Sequence, residues 1–128
     1  MSDPLSVVRQ KDAFARLLGI EVLQAAGGCA KVRMEVRPEH LNGLGMVHGG
    51  AIFTLADYAF ALACNSEGVT SVAINASISF VKAVTEGTLC AAATKAADGK
   101  VAPYEIRVTD SAGALVALFH GLAYRKTR

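Results

Sequence analysis

A single carboxylate stands inside a long apolar stretch of this chain. Asp57 is the only strongly acidic or basic side chain between residues 50 and 64. The other strongly polar side chain, Thr54, lies about one helical turn before it, so the two share a face of a helix. An unpaired buried carboxylate costs several kcal/mol, and desolvation raises its pKa toward the range of a general base. Asp57 is therefore a candidate general base, unless it faces solvent at a gap in the fold or hydrogen-bonds to a neighbouring loop.

Two glycines, Gly49 and Gly50, stand where this apolar stretch begins. The start of a helix offers unpaired backbone N–H groups and the positive end of the helix dipole. Glycine also lets a carbonyl group approach the backbone closely, which suits a hole for the oxyanion of acyl transfer. The alternative is that the glycines only make the sharp bend from loop to helix. Their position beside His48, with Asn42 six residues before it, favours a functional interpretation.

The spacing of these groups predicts a site shared between subunits. Asp57 follows Gly49 by eight residues, which is about 12 Å along a helix axis. The two groups therefore cannot readily flank one carbonyl within a single chain. If two subunits pair with their central helices antiparallel, the start of one helix meets the middle of the other and gives two equivalent sites per homodimer. A monomer is then expected to be inactive.

The elements that must position these groups follow from composition and periodicity. A length of 128 residues fits one domain, 1–128, with an N-terminal segment, 1–18, that contains a short helix from Asp12 to Leu18. Hydrophobic residues form 52% of the chain, which excludes a disordered class and indicates surplus apolar surface for oligomerisation. The formal charge of +2, without a basic stripe, argues against nucleic-acid binding.

Alternating apolar residues and turn signals predict six strands around one helix. The strands are predicted at 20–26, 30–36, 71–80, 88–96, 101–110 and 114–124, the last four as a meander. Residues 49–64 are too long for a typical strand and rich in Ala and Leu, so they are predicted to form a buried helix. A helix that is apolar all round is hidden only if the sheet curls about it. We therefore predict an α+β fold of the hotdog type, with a curled antiparallel sheet wrapped around a central helix.

The cysteines, the N-terminus and the longest apolar stretch indicate the cellular compartment of the protein. Three cysteines, at 29, 64 and 90, are odd in number and lack metal-ligand spacing, as expected for reduced, packed thiols in the cytoplasm. The N-terminus has early acidic residues and no apolar core of signal-peptide length. The longest apolar stretch is shorter than the roughly 20 residues of a membrane span and contains Asp57. We predict a cytoplasmic protein without membrane contact or a catalytic cysteine.

The histidines at positions 40 and 120 do not indicate a metal site. Neither has a second potential ligand at sensible spacing, so a paired or surface histidine is the better interpretation for both. We predict no metal.

The segment from Asn42 to residue 61, NGLGMVHGGAIFTLADYAFA, resembles the hotdog thioesterases of the phenylacetic-acid-degradation (PaaI) type. Further likeness lies at 79–83, Gly87, the 110–113 turn, 116–119 and Gly121, so the resemblance covers about residues 19–126. A bare His-Gly-Gly is a weak signal. It becomes specific with an Asn six residues before the His and an Asp nine after it, inside an apolar helix.

This resemblance implies hydrolysis of an acyl-CoA, with an aryl-acetyl or medium-sized acyl group, to a free acid and CoA. It implies no cofactor, a homodimer as the minimal active unit and a homotetramer as the assembly. The backbone N–H of Gly49 would polarise the thioester carbonyl, while Asp57 of the neighbouring subunit would activate water or attack the carbonyl. Asn42 would position the thioester or the water. His48 would either lie near the thioester or hold the loop by hydrogen bonds.

Gly50, Thr54, Asn75 and Lys82 are the candidate substrate-binding residues. Some relatives carry a hydroxyl on the strand after the helix where this chain has Ala73, which Asn75 or Ser71 would replace only in part. Family members commonly have Arg-Pro where residues 82–83 are Lys-Ala. Lys82 can meet a phosphate as a point charge, or it is an ordinary solvated lysine at a strand end.

Two rival functions remain open at this point. A non-catalytic acyl-CoA binding module would keep the groove without depending on Asp57. A hotdog hydratase or dehydratase is disfavoured, because the chain lacks the Asp and His pair that this branch carries at the helix entry.

Overall fold

A computed structural model describes residues 3–126, so both ends of the predicted 1–128 domain lie outside the described residues. The helices are α1 (Pro4–Lys11), α2 (Ala13–Leu17) and α3 (Gly49–Cys64), with a 3-10 turn at Pro38–His40. The strands are β1 (Glu21–Ala26), β2 (Cys29–Glu35), β3 (Ser71–Phe80), β4 (Thr88–Lys95), β5 (Val101–Thr109) and β6 (Leu115–Arg125). All six strands and the long helix lie where the sequence predicted them, within one or two residues at each end.

The strands form one antiparallel sheet in the order β1-β2-β4-β5-β6-β3. The predicted four-stranded meander is wrong, because β3 pairs with β6 from Ser71↔Arg125 to Phe80↔Ala117, and not with β4. Only β4, β5 and β6 form a meander, and β4 continues the sheet onto β2. Alternation along a strand encodes which side chains share a face, and it carries no information on the neighbouring strand.

The core lies between α3 and the concave face of the sheet. Leu55, Ala56, Ala59 and Leu62 of α3 are fully buried. The Phe60 ring packs against Tyr104 of β5 and Phe119 of β6, with ring centroids 5.5 and 5.9 Å apart. The apolar run of the sequence therefore becomes the central helix of the curled sheet.

One stripe of α3 is left uncovered, so the expectation that the sheet hides the helix all round is wrong in part. Gly50 is exposed, and Thr54, Asp57 and Ala61 are half-buried. These positions recur at helical spacing along one side of α3. The polar residues of the helix lie on the side that the sheet does not reach.

The N-terminal segment contains two helices where one was predicted. Asp3 caps α1 by accepting the Ser6 N–H, and Pro4 follows as the first helical residue, a favourable helix start. Asp12 then ends α1 and caps α2 by accepting the Ala15 N–H at 3.0 Å. No helix within residues 3–126 has the length and hydropathy needed to cross a membrane.

The strand β3 is an edge strand with little cover on either face. Val72, Ile74 and Phe80 are 42%, 53% and 54% exposed, and Val81 just after the strand is 59% exposed. Its alternation of apolar and small polar residues predicted one buried face, which the single chain does not provide. An apolar edge strand of this kind is open to pairing with another chain.

Candidate active site

The loop before α3 is organised by Asn42. Its side-chain Oδ1 accepts the backbone N–H groups of Leu44 and Met46, at 2.9 and 3.1 Å, and its own N–H donates to the Met46 carbonyl at 2.7 Å. Gly45 takes a positive φ of 79°, which the tight turn requires. Because Oδ1 is occupied, only the Asn42 side-chain NH₂ remains to meet another group.

The start of α3 leaves one backbone donor free. His48 is the N-cap, and its Nδ1 accepts the Gly50 N–H at 2.8 Å. The acceptor role means that Nδ1 carries no proton, so the proton of the neutral ring is on Nε2. The Gly49 N–H has no hydrogen-bond acceptor within residues 3–126. Gly49 therefore presents an unpaired N–H at the positive end of the helix dipole.

A cavity of about 320 Å³ opens beside this donor. Its lining includes Asn42, Gly49, Phe80 and Lys82. The Phe80 ring covers Gly49 so closely that a β-carbon on Gly49 would lie 3.2 Å from Phe80 Cζ. The structure thus brings three of the predicted site residues, Asn42, Gly49 and Lys82, to one cavity.

A second cavity, of about 430 Å³, lies on the other side of the helix start. His48, Gly50 and Thr54 line it together with Phe14 and Leu18 of the N-terminal segment. The Thr54 hydroxyl donates to the Gly50 carbonyl at 2.7 Å, within the helix. The two cavities therefore flank the Gly49–Gly50 turn, one on each side.

Asp57 is half-buried on the uncovered stripe of α3 and lines neither cavity. Its carboxylate has no hydrogen-bond or ion-pair partner among the described residues. Burial raises the pKa of the Asp57 carboxyl, and the negative charge of Asp12 raises it further. The helix places Asp57 about 12 Å beyond Gly49 along the axis. Within one chain, the carboxylate and the free N–H do not meet.

Lys82 pairs with Asp110. The ammonium and the carboxylate are in direct contact, although the Lys82 side chain is 49% exposed. Asp110 also accepts the N–H groups of Ala112 and Ala114, and the bond from Lys82 is the main reason why its pKa lies below the usual range. Lys82 is therefore an exposed lysine at the end of a strand that is also ion-paired, and it lies in the lining of the first cavity.

Asn75 is not brought to this region. It is exposed on β3, opposite Leu122 at an irregularity in the β3–β6 pairing. Ser71, the other proposed substitute for the missing hydroxyl, is buried at the start of β3, where Asn65 accepts its N–H at 2.9 Å. Ser71 thus has a structural role, and neither residue lines the cavities beside Gly49.

His40 is the residue of this region that sequence reasoning undervalued. It is only 3% exposed, and both ring nitrogens bond to backbone groups, as a paired histidine does.

Among residues 3–126 no cluster of potential metal ligands occurs. Cys64 is buried, which raises its thiol pKa to about 12 and leaves no thiolate for catalysis at neutral pH.

Comparison with known proteins places the geometry in a family context. The model of the thioesterase superfamily matches residues 44–120. A candidate esterase from Archaeoglobus fulgidus is 44% identical over 118 residues, covering 91% of this chain and 77% of that protein. The acyl-coenzyme A thioesterase PaaI of Escherichia coli is 41% identical over 118 residues, covering 91% and 84%. The structure of the E. coli PaaI protein from the phenylacetic acid degradation operon superposes with a TM-score of 0.91 and 36% identity, over 97% of this chain and 91% of that one. The predicted hotdog fold is confirmed.

Proposed function

Because the chain belongs to the thioesterase superfamily and is an acyl-CoA thioesterase of the PaaI type, we propose that it hydrolyses acyl-CoA at sites shared between two protomers. In each site, Gly49 of one protomer supplies the oxyanion donor and Asp57 of the other supplies the reacting carboxylate. The observation that carries this proposal is that two groups on the same helix both lack a hydrogen-bond partner among the described residues. The Gly49 N–H lacks an acceptor and the half-buried Asp57 lacks a partner, yet α3 holds them too far apart to serve one carbonyl.

The chemistry needs no group beyond these. The Gly49 N–H donates to the thioester oxygen, whose negative charge grows as the carbonyl carbon becomes tetrahedral. As a general base, Asp57 takes a proton from water while the water oxygen bonds to that carbon. The C–S bond then breaks, and the departing CoA thiolate receives the proton, which gives the free acid and CoA. The raised pKa of Asp57 improves it as a base near neutral pH.

A nucleophilic route uses the same carboxylate. Asp57 attacks the carbonyl carbon, CoA leaves as the thiolate and a mixed anhydride forms, which water then cleaves while the thiolate takes up a proton. In a single turnover in ¹⁸O-labelled water, label that appears in the Asp57 carboxyl identifies the anhydride, because water then cleaved it at the Asp57 carbonyl carbon.

The remaining site residues have supporting roles in this proposal. The free NH₂ of Asn42 orients the thioester or the water from the wall of the Gly49 cavity. His48 holds the loop by capping α3, which is the second of the two roles considered for it. Lys82, placed by Asp110, meets a phosphate of CoA. Gly50 and Thr54 line the second cavity, and Asn75 is assigned the weakest role because it lies away from both cavities.

The uncovered edge of the sheet supports the shared site. If the β3 strands of two protomers pair across a two-fold axis, the exposed apolar side chains of β3 are covered. The uncovered stripes of the two α3 helices then face each other in antiparallel orientation. A homodimer is the minimal active unit in this proposal, and dimers pair into a homotetramer. Sedimentation tests the assembly, and an active enzyme that is strictly monomeric contradicts it.

The acyl group is proposed to be aryl-acetyl or of medium length. The cavity beside Thr54 has about 430 Å³ and side chains such as Phe14 and Leu18 in its wall, a volume and polarity that suit a small aromatic or aliphatic group. We place the protein in the cytoplasm, which the three free cysteines support.

A free-thiol assay on a panel of acyl-CoA esters tests this function. We expect turnover by the wild type, with the highest kcat/KM on aryl-acetyl or medium-chain esters, and loss by about 100-fold or more in Asp57→Asn and Asp57→Ala. Misfolding is not expected to explain the loss. The folded-state pKa of Asp57 is raised, so its ionisation lowers the free energy of unfolding as pH rises through that pKa. The Asp57→Asn variant has no charge to bury, so it does not lose this stability at pH 7. Full turnover in both variants would remove Asp57 from the mechanism, and no turnover of any ester by the wild type would favour a binding module.

A further inference from the structure

We propose that His40 is a positioning residue that fixes the oxyanion donor of Gly49 by holding the loop before α3. This inference rests on the proposed function. His40 lies in the 3-10 turn after β2, eight residues before His48, and takes no part in the chemistry described above. The evidence for a role is the set of hydrogen bonds made by the His40 ring and by the His40 backbone carbonyl.

The His40 ring is locked from both sides. Its Nδ1 accepts the Arg37 N–H at 3.0 Å, and its Nε2 lies 2.9 Å from the Leu18 carbonyl. Since Nδ1 is an acceptor and a carbonyl can only accept, the ring is neutral with its proton on Nε2. A side chain that is 3% exposed, with both polar atoms satisfied, has a single orientation.

The backbone of His40 transmits this orientation to the site. The His40 carbonyl accepts the His48 N–H at 2.7 Å. The His48 carbonyl in turn accepts the N–H groups of Ala51 and Ile52, and its ring caps Gly50. The peptide group that carries the free Gly49 N–H lies between these fixed points. A locked His40 therefore sets where that N–H points.

His40 also joins the two walls of the second cavity. Its bond to the Leu18 carbonyl holds the end of α2, and the Arg37 guanidinium donates to the adjacent Leu17 carbonyl at 3.0 Å. The lining of this cavity contains Phe14 and Leu18 of the N-terminal segment, His48 at the start of α3, and His40 itself. The same ring thus positions the N-terminal segment and the start of α3 relative to each other.

Two substitutions separate positioning from plain stability. His40→Leu fills the buried position with an apolar side chain of similar size and removes both hydrogen bonds of the ring. His40→Asn retains an acceptor near the position of Nδ1, so the bond from the Arg37 N–H is kept. Asn65→Ala is the matched control at the opposite end of α3. Asn65 is 4% exposed and bonds to backbone atoms of Ala61 and Ser71, and it lies far along the helix from Gly49.

We expect His40→Leu to lower kcat by about 10- to 100-fold through misplacement of the oxyanion donor, with KM changed by less than about threefold. His40→Asn is expected to recover most of the loss. Asn65→Ala should lower stability and leave kcat unchanged. Amide hydrogen exchange should quicken at residues 42–51 in His40→Leu, and stay as in the wild type there in Asn65→Ala.

The outcomes keep this inference apart from the proposed function. A wild type that hydrolyses thioesters, combined with a folded His40→Leu variant of unchanged kcat or unchanged exchange at 42–51, would overturn the role of His40 alone. An equal fall of kcat in His40→Leu and Asn65→Ala would overturn it as well, since the effect would then follow stability. A wild type without turnover on any thioester would overturn the proposed function and this inference together.

Discussion

The imidazole Nδ1 of His48 accepts the backbone N–H of Gly50 at 2.8 Å, within the first turn of α3. This bond satisfies one of the four N–H groups that a helix start leaves unpaired, and it leaves the N–H of Gly49 free. His48, for which the sequence left open a contact with the thioester or a role in holding the loop, is the N-cap of α3 in the structure.

Replacement of His48 tests the capping role. His48→Ala is expected to lower the free energy of unfolding by about 1 kcal/mol, because the Gly50 N–H loses its acceptor. His48→Asn should keep most of the stability and of the turnover, because Asn is a preferred cap. Urea denaturation and the thiol assay measure both. A stable but inactive His48→Asn variant would instead indicate that the imidazole itself contacts the thioester.

Replacement of Gly49 by proline removes the proposed oxyanion donor without breaking the helix. Proline is tolerated at the first helical position, and His48 already has the extended backbone, with ψ of 136°, that a following proline requires. Gly49→Ala is the matched control, since both variants place a β-carbon against Phe80 and only proline lacks the N–H.

We expect kcat of Gly49→Pro to fall about 100- to 1,000-fold below that of Gly49→Ala. Circular dichroism should show both variants folded. Equal turnover in the two would mean that the Gly49 N–H does not stabilise the oxyanion.

The pH profile tests the electrostatics of Asp57. The negative charge of Asp12 helps to raise the Asp57 pKa, so Asp12→Asn is expected to lower it. Because the reacting carboxylate must be ionised, the acid limb of kcat/KM should move to lower pH in this variant. Asn also caps helices well, so α2 keeps its cap. Asp3→Asn, which changes the cap of α1 in the same way, should leave the limb in place, and an equal shift in both variants would exclude a specific effect of Asp12.

Much of the fold followed from the sequence because its signals are local. The apolar run predicted α3, and the glycine-rich turns separated the strands at nearly the observed bounds. The pairing of β3 with β6 was missed, since no local pattern names a strand's neighbour. The exposure of β3 was missed for a related reason, because the same alternation of apolar and polar residues occurs in a strand with a buried face and in an exposed edge strand. The start of α1 was not predicted, although an Asp followed by Pro4 is a typical helix start.

The residues of the site could be predicted from the sequence, but the hydrogen bonds and ion pairs between them could not. Residue types and spacing pointed to Asp57 and Gly49, and the structure places both on α3 as expected. The role of His40 depends on contacts with residues 18 and 37, which belong to different elements and converge only in the folded chain. The ion pair of Lys82 could not be predicted from the sequence either, because its partner Asp110 lies 28 residues further along the chain.

The contact between Phe60 and Gly121 tests the packing of α3 on the sheet. A β-carbon on Gly121 would lie 2.7 Å from the Phe60 ring, so Gly121→Ala is expected to lower the free energy of unfolding by about 1–3 kcal/mol. Gly43→Ala is the control, as no heavy atom lies within 4 Å of its added β-carbon. The double variant with Phe60→Leu should regain part of the loss. Thermal unfolding measures all three, and an unaffected Gly121→Ala would contradict the close packing.

The most direct test of the shared site is complementation between two inactive variants. A protomer with Asp57→Asn and a protomer with Gly49→Pro, co-expressed with different affinity tags, give heterodimers that two purification steps isolate. One of their two composite sites then has both the intact Gly49 and the intact Asp57, so we expect about half the wild-type turnover per dimer. Heterodimers as inactive as either parent variant would contradict the account, because they would place Gly49 and Asp57 in sites that do not cross between protomers.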